Sequence, residues 1–338
     1  MKKKLVGIFV CMMMLTTCVV PVMGELIPFK KTTNNTNPTD SGNSTLKFMI
    51  AGNALRALRS YWLHVPPSYD ESKPTPLVIV FHPGYVYDSN DSFWIFRSCW
   101  IENYTKFSEK ADNEGFIVVY PNSKLLIYDP LQTPIFDVKN LYNYNFGWIP
   151  SLGRYYTDDI GFTRDIIDKM KRQYTINSSR IYVTGLSVGA MMTYSTGAYL
   201  SDTVAAIAPV AGTIGGRANE SQPFSYIPAP EHPVSVIAFH GAVDQTIPYK
   251  GNKNLVSVKE SISFWVEHNG CNPTPEINIS EDGKVNRTTY TNGENGVEVV
   301  FYYLRGVGHW WPGNPYNPND KISATDLIWE FFEAHPKQ

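Results

Sequence analysis

The order of short apolar runs along the chain constrains its fold more than any other feature. The runs "PLVIVFH" (76–82), "FIVVYP" (116–121) and "PVSVIAFHG" (233–241) are continuous and rich in Val and Ile. Such runs predict strands buried on both faces of a parallel sheet. Amphipathic stretches lie between them, and the one at 157–174 has the acidic start and basic end typical of a helix. This alternation continues for about 290 residues, which predicts one α/β domain with a mostly parallel central sheet and helices on both faces.

The first 24 residues have the pattern of a secretory signal peptide. Three lysines follow Met1, an apolar run extends from Leu5 to Val20, and the small residue Gly24 ends the segment. The alternative is a single membrane anchor, but the run is shorter than a membrane-spanning helix requires. We therefore expect a secreted protein with a signal peptide at 1–24, a flexible leader at 25–45 and one α/β domain at 46–338.

Composition and charge argue against several kinds of partner. The formal net charge of −2 disfavours a nucleic-acid surface, and it disfavours a polybasic membrane surface as well. Neither a metal site nor a cofactor is expected, because four of the histidines form no H-x-x-H pair and no cluster with carboxylates: His64, His232, His268 and His335. Removal of the signal peptide would leave Cys99 and Cys271, which could pair or remain as two buried thiols.

The segment Gly185-Leu186-Ser187-Val188-Gly189 has the G-x-S-x-G pattern, which is weak evidence by itself. Here it lies between a predicted buried strand, "RIYVTG", and a predicted helix, which is the context of a nucleophile elbow. Glycine suits the two flanking positions because side chains there would collide with the neighbouring strand and helix. The N–H of Val188, at the helix start, would point at a developing oxyanion. We predict that Ser187 is a nucleophile.

A serine nucleophile needs a base, and the base needs an orienting carboxylate. In the chain order Ser, acid, His, each partner is expected just after a later strand. Asp244 and His309 meet this condition, whereas His240 ends a strand before the acid and is assigned a structural role. Asp158 and Asp159 precede Ser187 and begin a predicted helix, where carboxylates act as caps.

The remaining site residues follow from position and composition. His82 ends a predicted strand, so the N–H of Gly84 or Tyr85 could be the second oxyanion donor. The segment 123–156 is dense in aromatic residues and too apolar to be disordered. We expect aromatic side chains from this segment and from the neighbourhood of His309 to bind substrate, with core packing as the alternative role: Tyr144, Trp148, Trp310 and Trp311.

An ordered set of eight segments resembles one protein family: "PLVIVFHPG", "GFIVVYPNS", "DDIGFTRDIID", "RIYVTGLSVGAMMTY", "AAIAPVAGT", "FHGAVDQTIPY", "GHWWPG" and "ATDLIWEFF". Together they resemble the secreted polyhydroxybutyrate-depolymerase-like and feruloyl (cinnamoyl) esterases of the α/β-hydrolase superfamily. The resemblance implies an α/β-hydrolase catalytic domain with Ser187 as nucleophile, Asp244 as acid and His309 as base. The oxyanion loop departs from the family pattern, because it reads His82-Pro83-Gly84-Tyr85-Val86 here.

These observations predict a secreted serine carboxylic-ester hydrolase that works through an acyl-enzyme. Its expected substrates are small-molecule, plant cell-wall acyl or polyester esters, of the feruloyl/cinnamoyl or hydroxyalkanoate type. Two alternatives are a peptidase or acyltransferase on the same fold and a catalytically inactive binding protein. The complete set of Ser187, Asp244 and His309 argues against the second alternative, because a binding protein has no need of these three residues in this order.

Overall fold

The computed structural model describes residues 44–51, 57–84, 97–122, 159–217, 219–317 and 320–338. The predicted signal peptide, nearly all of the predicted leader and the aromatic segment 123–156 lie outside these residues. No described helix is long and apolar enough to cross a membrane.

Twelve strands and six helices make up the described fold. The strands are β1 (Thr45–Ala51), β2 (Ala57–His64), β3 (Thr75–Phe81), β4 (Ile117–Pro121), β5 (Ile176–Leu186), β6 (Ala206–Val210), β7 (Gly215–Gly216), β8 (Ser225–Tyr226), β9 (Ser235–Gly241), β10 (Glu276–Ile279), β11 (Val285–Tyr290) and β12 (Val299–Leu304). The helices are α1 (Arg97–Thr105), α2 (Phe107–Glu114), α3 (Asp159–Gln173), α4 (Val188–Tyr199), α5 (Val258–His268) and α6 (Ala324–Ala334).

Ten of the strands form one sheet in the order β1-β2-β4-β3-β5-β6-β9-β12-β11-β10. The strands from β4 to β12 in this order are parallel, and antiparallel strands extend the sheet at both ends. The α/β-hydrolase fold with a mostly parallel central sheet is therefore confirmed. The Gly- and Pro-rich stretch 213–232 contains the small antiparallel β7–β8 pair.

The central strands are buried on both faces, as their continuous apolar runs predict. In β3, Leu77 and Ile79 belong to one hydrophobic cluster, whereas Val78 and Val80 belong to the other. This alternation follows from the period of two in a strand. Helices α3, α4 and α5 contribute to the first cluster, and α1, α2 and α6 contribute to the second. The helices therefore cover both faces of the sheet.

Local capping sets the ends of the last two helices. The hydroxyl of Ser257 accepts a hydrogen bond from the Glu260 N–H at the start of α5. Ser323, rather than Thr325, caps α6, because its hydroxyl accepts from the Asp326 N–H. Caps of this kind satisfy N–H groups that have no partner within the helix.

The carboxyl edge of the parallel sheet holds the loops that carry the predicted site residues. Ser187 follows β5, Asp244 follows β9 and His309 follows β12. Strands β9 and β12 are neighbours, and only β6 separates β9 from β5. Since parallel strands end at the same edge, three residues far apart in sequence meet there.

Candidate active site

Ser187 occupies a strained turn between β5 and α4. Its φ of 61° and ψ of −118° lie outside the favoured regions for a residue with a side chain. Such a conformation costs about 1–3 kcal/mol and persists only where the surroundings hold it. The Ser187 N–H donates to the Val210 carbonyl of β6 at 2.9 Å, and its own carbonyl accepts from Ala190 and Met191. The turn is thus held by both the sheet and the helix.

The two glycines around Ser187 are required by close contacts. A Cβ on Gly185 would lie 2.5 Å from the Gly189 carbonyl oxygen and 2.9 Å from Cβ of Phe81. A Cβ on Gly189 would collide with the Phe81 carbonyl oxygen. The turn therefore packs directly against the end of β3, and only glycine allows this approach.

Ser187, His309 and Asp244 form a continuous hydrogen-bonded chain. Nε2 of His309 lies 2.8 Å from Oγ of Ser187, and Nδ1 lies 2.7 Å from Oδ2 of Asp244. Because the carboxylate only accepts, Nδ1 carries the proton and Nε2 is left as the acceptor for the serine hydroxyl. The Asp244 side chain is fully buried, whereas the His309 side chain is 21% exposed. The histidine is thus the more exposed of these two side chains.

Two backbone groups that the sequence did not single out orient the Asp244 carboxylate. Its Oδ1 accepts hydrogen bonds from the N–H groups of Thr246 and Ile247, each at 2.9 Å. The turn after Asp244 is an Asx-type turn, in which an aspartate binds N–H groups two and three residues later. The sequence signal for it is an Asp followed by a short polar loop.

The loop that carries His309 packs closely on the end of β9. A Cβ on Gly241 would collide with the Val307 carbonyl oxygen, and the Val243 N–H donates to that carbonyl at 3.1 Å. A Cβ on Gly308 would meet the ring of Trp310. These contacts explain why glycines flank the loop.

The competing residues of the sequence analysis make other contacts. His240 is 2% exposed, and its Nε2 contacts the Ile247 carbonyl. Asp159 forms an ion pair with Arg59, whose guanidinium also lies over the Phe162 ring. Asp158 is outside the described residues. Asp244 is therefore the carboxylate that contacts His309.

Two of the three candidate oxyanion donors, Val188 and Gly84, are among the described residues. Val188 is the first residue of α4, so its N–H has no acceptor within the helix. Gly84 is half-buried and lies three residues beyond the end of β3. It is close in sequence to Phe81 and His82, whose carbonyl oxygens lie close to Gly189. Tyr85 is outside the described residues. The local geometry is compatible with Val188 and leaves the second donor as a prediction.

The burial of Trp311 favours the core-packing alternative over a role in substrate binding. Its ring is 1% exposed and lies edge-on to Phe107, with 6.0 Å between ring centroids. Its indole N–H donates to Oγ1 of Thr325 at 3.0 Å. Trp310 is half-buried beside His309, and its Nε1 has no partner among the described residues. Tyr144 and Trp148 lie outside the described residues.

Among the described residues, Cys99 and Cys271 are not joined by a disulfide. Cys99 is half-buried and Cys271 is buried. Burial raises the pKa of the Cys271 thiol to about 11. Within the part of the chain that the structure describes, no group of His, Cys, Asp and Glu side chains could hold a metal ion.

Comparisons with known proteins identify relatives at low sequence identity. No protein-family profile matches the chain. The chain is 26% identical over 261 residues to feruloyl esterase B of Piromyces equi, an alignment that covers 72% of this chain and 41% of that protein. It is 24% identical to feruloyl esterase D of Neurospora crassa, with 87% of each chain covered. Poly(3-hydroxyalkanoate) depolymerase C of Paucimonas lemoignei is 27% identical over 46% of this chain and 40% of its own length.

Solved structures share the fold. An acetyl xylan esterase from Aspergillus awamori superposes with a TM-score of 0.55 and 16% identity, over 85% of this chain and 99% of that one. A ferulic acid esterase from Anaeromyces mucronatus gives a TM-score of 0.52 at 16% identity, over 89% and 93% of the two chains. The chain thus shares the α/β-hydrolase fold of these esterases, and its sequence is similar to feruloyl esterases and to a poly(3-hydroxyalkanoate) depolymerase.

Proposed function

We propose that this protein is a carboxylic-ester hydrolase that acts through an acyl-enzyme formed on Ser187. The observation that carries the proposal is the hydrogen-bonded chain from Ser187 through His309 to the buried Asp244. A serine in a strained turn, with a base on one side and a helix start on the other, suits acyl transfer.

Acylation begins when Oγ of Ser187 attacks the ester carbonyl carbon. Nε2 of His309 takes the hydroxyl proton, and Asp244 stabilises the imidazolium that forms. The oxyanion of the tetrahedral intermediate accepts a hydrogen bond from the Val188 N–H and one from the segment after His82, at Gly84 or Tyr85. His309 then protonates the leaving alcohol as the intermediate collapses.

Deacylation repeats these steps with water as the nucleophile. His309 takes a proton from the water as the water attacks the acyl carbonyl, and it returns that proton to Oγ of Ser187. Throughout the cycle Asp244 keeps the proton on Nδ1, so that Nε2 stays available as a base.

The relatives support a particular range of esters. Their names are feruloyl esterases and a poly(3-hydroxyalkanoate) depolymerase, so esters of cinnamic-type acids and of hydroxy acids are the first candidates. The half-buried ring of Trp310 beside His309 is a suitable surface for an acyl group. Tyr144 and Trp148 remain candidates from the sequence.

We also propose export and the domain limits 1–24, 25–45 and 46–338. The support is the basic and apolar N-terminal pattern. Sequencing the N-terminus of the protein recovered from the culture medium tests both, because the expected first residue is Glu25. An intact Met1 on a membrane-bound product would reject them.

The experiment for the activity compares methyl ferulate, p-nitrophenyl acetate and a polyhydroxybutyrate suspension. The wild-type protein should hydrolyse at least one of them, and Ser187→Ala should hydrolyse none. A fluorophosphonate should label the wild type and leave Ser187→Ala unlabelled. Cleavage of peptide substrates alone, or preferred transfer to an added alcohol, would favour the alternative activities. Hydrolysis that survives Ser187→Ala would exclude the mechanism.

A further inference from the structure

A second histidine lies next to the acid of the candidate triad. His240 is the next-to-last residue of β9 and is 2% exposed. Its Nε2 lies 2.8 Å from the Ile247 carbonyl oxygen and 3.6 Å from Oδ2 of Asp244, the same oxygen that contacts His309. The mechanism above does not use this imidazole.

The contacts of His240 determine where its proton lies. Since a carbonyl oxygen only accepts, Nε2 must carry a hydrogen and donate it to Ile247. Nδ1 is buried and has no partner among the described residues, so a second proton there would be an unpaired donor. Burial also lowers the pKa of His240, which favours the neutral ring. His240 is therefore a neutral imidazole whose one N–H, at Nε2, donates to the Ile247 carbonyl.

Ile247 connects His240 to the candidate triad. Its carbonyl accepts from His240, and its own N–H donates to Oδ1 of Asp244 at 2.9 Å. The other oxygen of that carboxylate accepts from Nδ1 of His309. One hydrogen-bonded chain therefore runs from His240 through Ile247 and Asp244 to His309 and ends at Ser187.

An apolar residue at the position of His240 would make the folded state more stable. Every residue of β9 is buried, and an unpaired Nδ1 lowers stability relative to a side chain without polar atoms. What histidine adds at this position is a hydrogen-bond donor, which an apolar side chain lacks, and it donates to the Ile247 carbonyl. The choice of histidine is thus explained by what it does to the loop, rather than by packing.

We propose that His240 is a positioning residue that sets the orientation of Asp244 and, through it, the basicity of His309. Its N–H fixes the Ile247 carbonyl, and the Ile247 N–H in turn fixes the Asp244 carboxylate beside Nδ1 of His309. The other titratable groups around it are Tyr303, which pairs with it in β12, and Tyr249, whose ring centroid is 6.3 Å away. The inference rests on the proposed function for its kinetic consequences only.

The test compares two amides at position 240 with an apolar residue. Gln can place its amide N–H close to the position of Nε2 and reach the Ile247 carbonyl, whereas Asn is too short. We expect His240→Leu and His240→Asn to lower kcat by about 10–100-fold with little change in KM, because misplacing a catalytic group costs rate rather than binding. Both should also move the acid limb of kcat/KM to lower pH, because a loosened carboxylate stabilises the imidazolium less. His240→Gln should keep most of the wild-type kcat and should leave the acid limb of the kcat/KM pH profile at its wild-type position.

A purely structural role predicts a different result. In that case His240→Leu changes the unfolding midpoint but leaves kcat and the acid limb of the folded protein unchanged. Phe239→Leu, a neighbouring buried residue on the other face of β9, is the matched control for core damage and should show that pattern. Wild-type kinetics in His240→Leu, or equal effects of Gln and Asn, would overturn the inference.

A spectroscopic measurement separates this inference from the proposed activity. The proton between Nδ1 of His309 and Asp244 should give a low-field ¹H NMR resonance whether or not any ester is turned over. We expect it in the wild type and in His240→Gln, and shifted or lost in His240→Asn. If no ester is hydrolysed but the resonance shows this pattern across the variants, the proposed esterase activity is rejected and the positioning role of His240 is supported. An unchanged resonance in all variants removes the positioning role.

Discussion

Trp311 donates its indole N–H to Oγ1 of Thr325 at 3.0 Å, and the Thr325 hydroxyl donates in turn to the Thr105 carbonyl. This contact ties the loop that carries His309 to helix α6 and to the end of α1. A residue two positions from the proposed base is therefore part of the core, whereas the neighbouring Trp310 is only half-buried.

Trp311→Phe should lower stability without changing acyl selectivity. The loss of the indole N–H leaves the buried Thr325 with one partner fewer, at a cost of about 1–3 kcal/mol. Urea unfolding measures this cost. Trp310→Phe is the control, because the Trp310 N–H has no partner in the described part of the chain. A drop in the ratio of cinnamoyl to acetyl ester hydrolysis in Trp311→Phe would return this residue to the substrate site.

Asp244→Asn should abolish most activity and keep the fold. The amide cannot stabilise the imidazolium and favours the wrong His309 tautomer, so kcat should fall by about 10⁴. The measurements are kcat for a reactive ester and the thermal midpoint. A variant that keeps a near-wild-type rate would show that another carboxylate acts on His309.

Asp159→Asn should have the opposite effect. Asp159 pairs with Arg59, whose side chain is 4% exposed, so the substitution leaves a buried charge without its partner. The expected cost is about 2–3 kcal/mol, below the 3–5 kcal/mol of fully buried pairs because the Asp159 side chain is 24% exposed. Denaturant unfolding should show this loss at nearly unchanged kcat. Lost activity at unchanged stability would contradict the assignment of Asp244.

The buried His240 should make the fold less stable in acid. Burial lowers its pKa in the folded state, whereas an imidazole in the unfolded chain titrates at about 6.5. The unfolded state therefore binds more protons below that pH, and the stability present above pH ~6.5 is lost as the pH falls. The free energy of unfolding at pH 8 and at pH 5 should differ more in the wild type than in His240→Gln. Equal differences would mean that His240 is not responsible.

Cys271 should react with thiol reagents only when the protein unfolds. Burial raises its pKa to about 11, so the thiolate that reacts is scarce at pH 8 and is shielded as well. Rapid labelling with a maleimide should be absent for Cys271 in the native protein and complete in denaturant, with Cys271→Ala identifying the signal. A mass consistent with a Cys99–Cys271 disulfide in the native protein would contradict the reduced state of Cys271.

Much of the fold follows from local features of the sequence. The apolar runs of β3, β4 and β9 mark strands that are buried on both faces, and the periodic stretch before β5 marks α3. Helices α1 and α2 were missed, since α1 lacks an apolar face at helical spacing. The antiparallel placement of β2 beside β4 depends on pairing between residues that are distant in sequence, which no local pattern encodes.

The sequence by itself determined the tight turn at Ser187, because a close strand-to-helix turn requires small residues at fixed positions. It also determined the order Ser187, Asp244, His309, because each later member follows a recognisable strand. Only the tertiary structure decided which way the loop side chains point. Trp311 points into the core because its indole N–H donates to Thr325 and its ring packs against Phe107. His240 is connected to Asp244 because the Ile247 peptide hydrogen-bonds to both side chains. Side-chain direction in a loop is set by partners from other elements, so spacing along the chain carries no information about it.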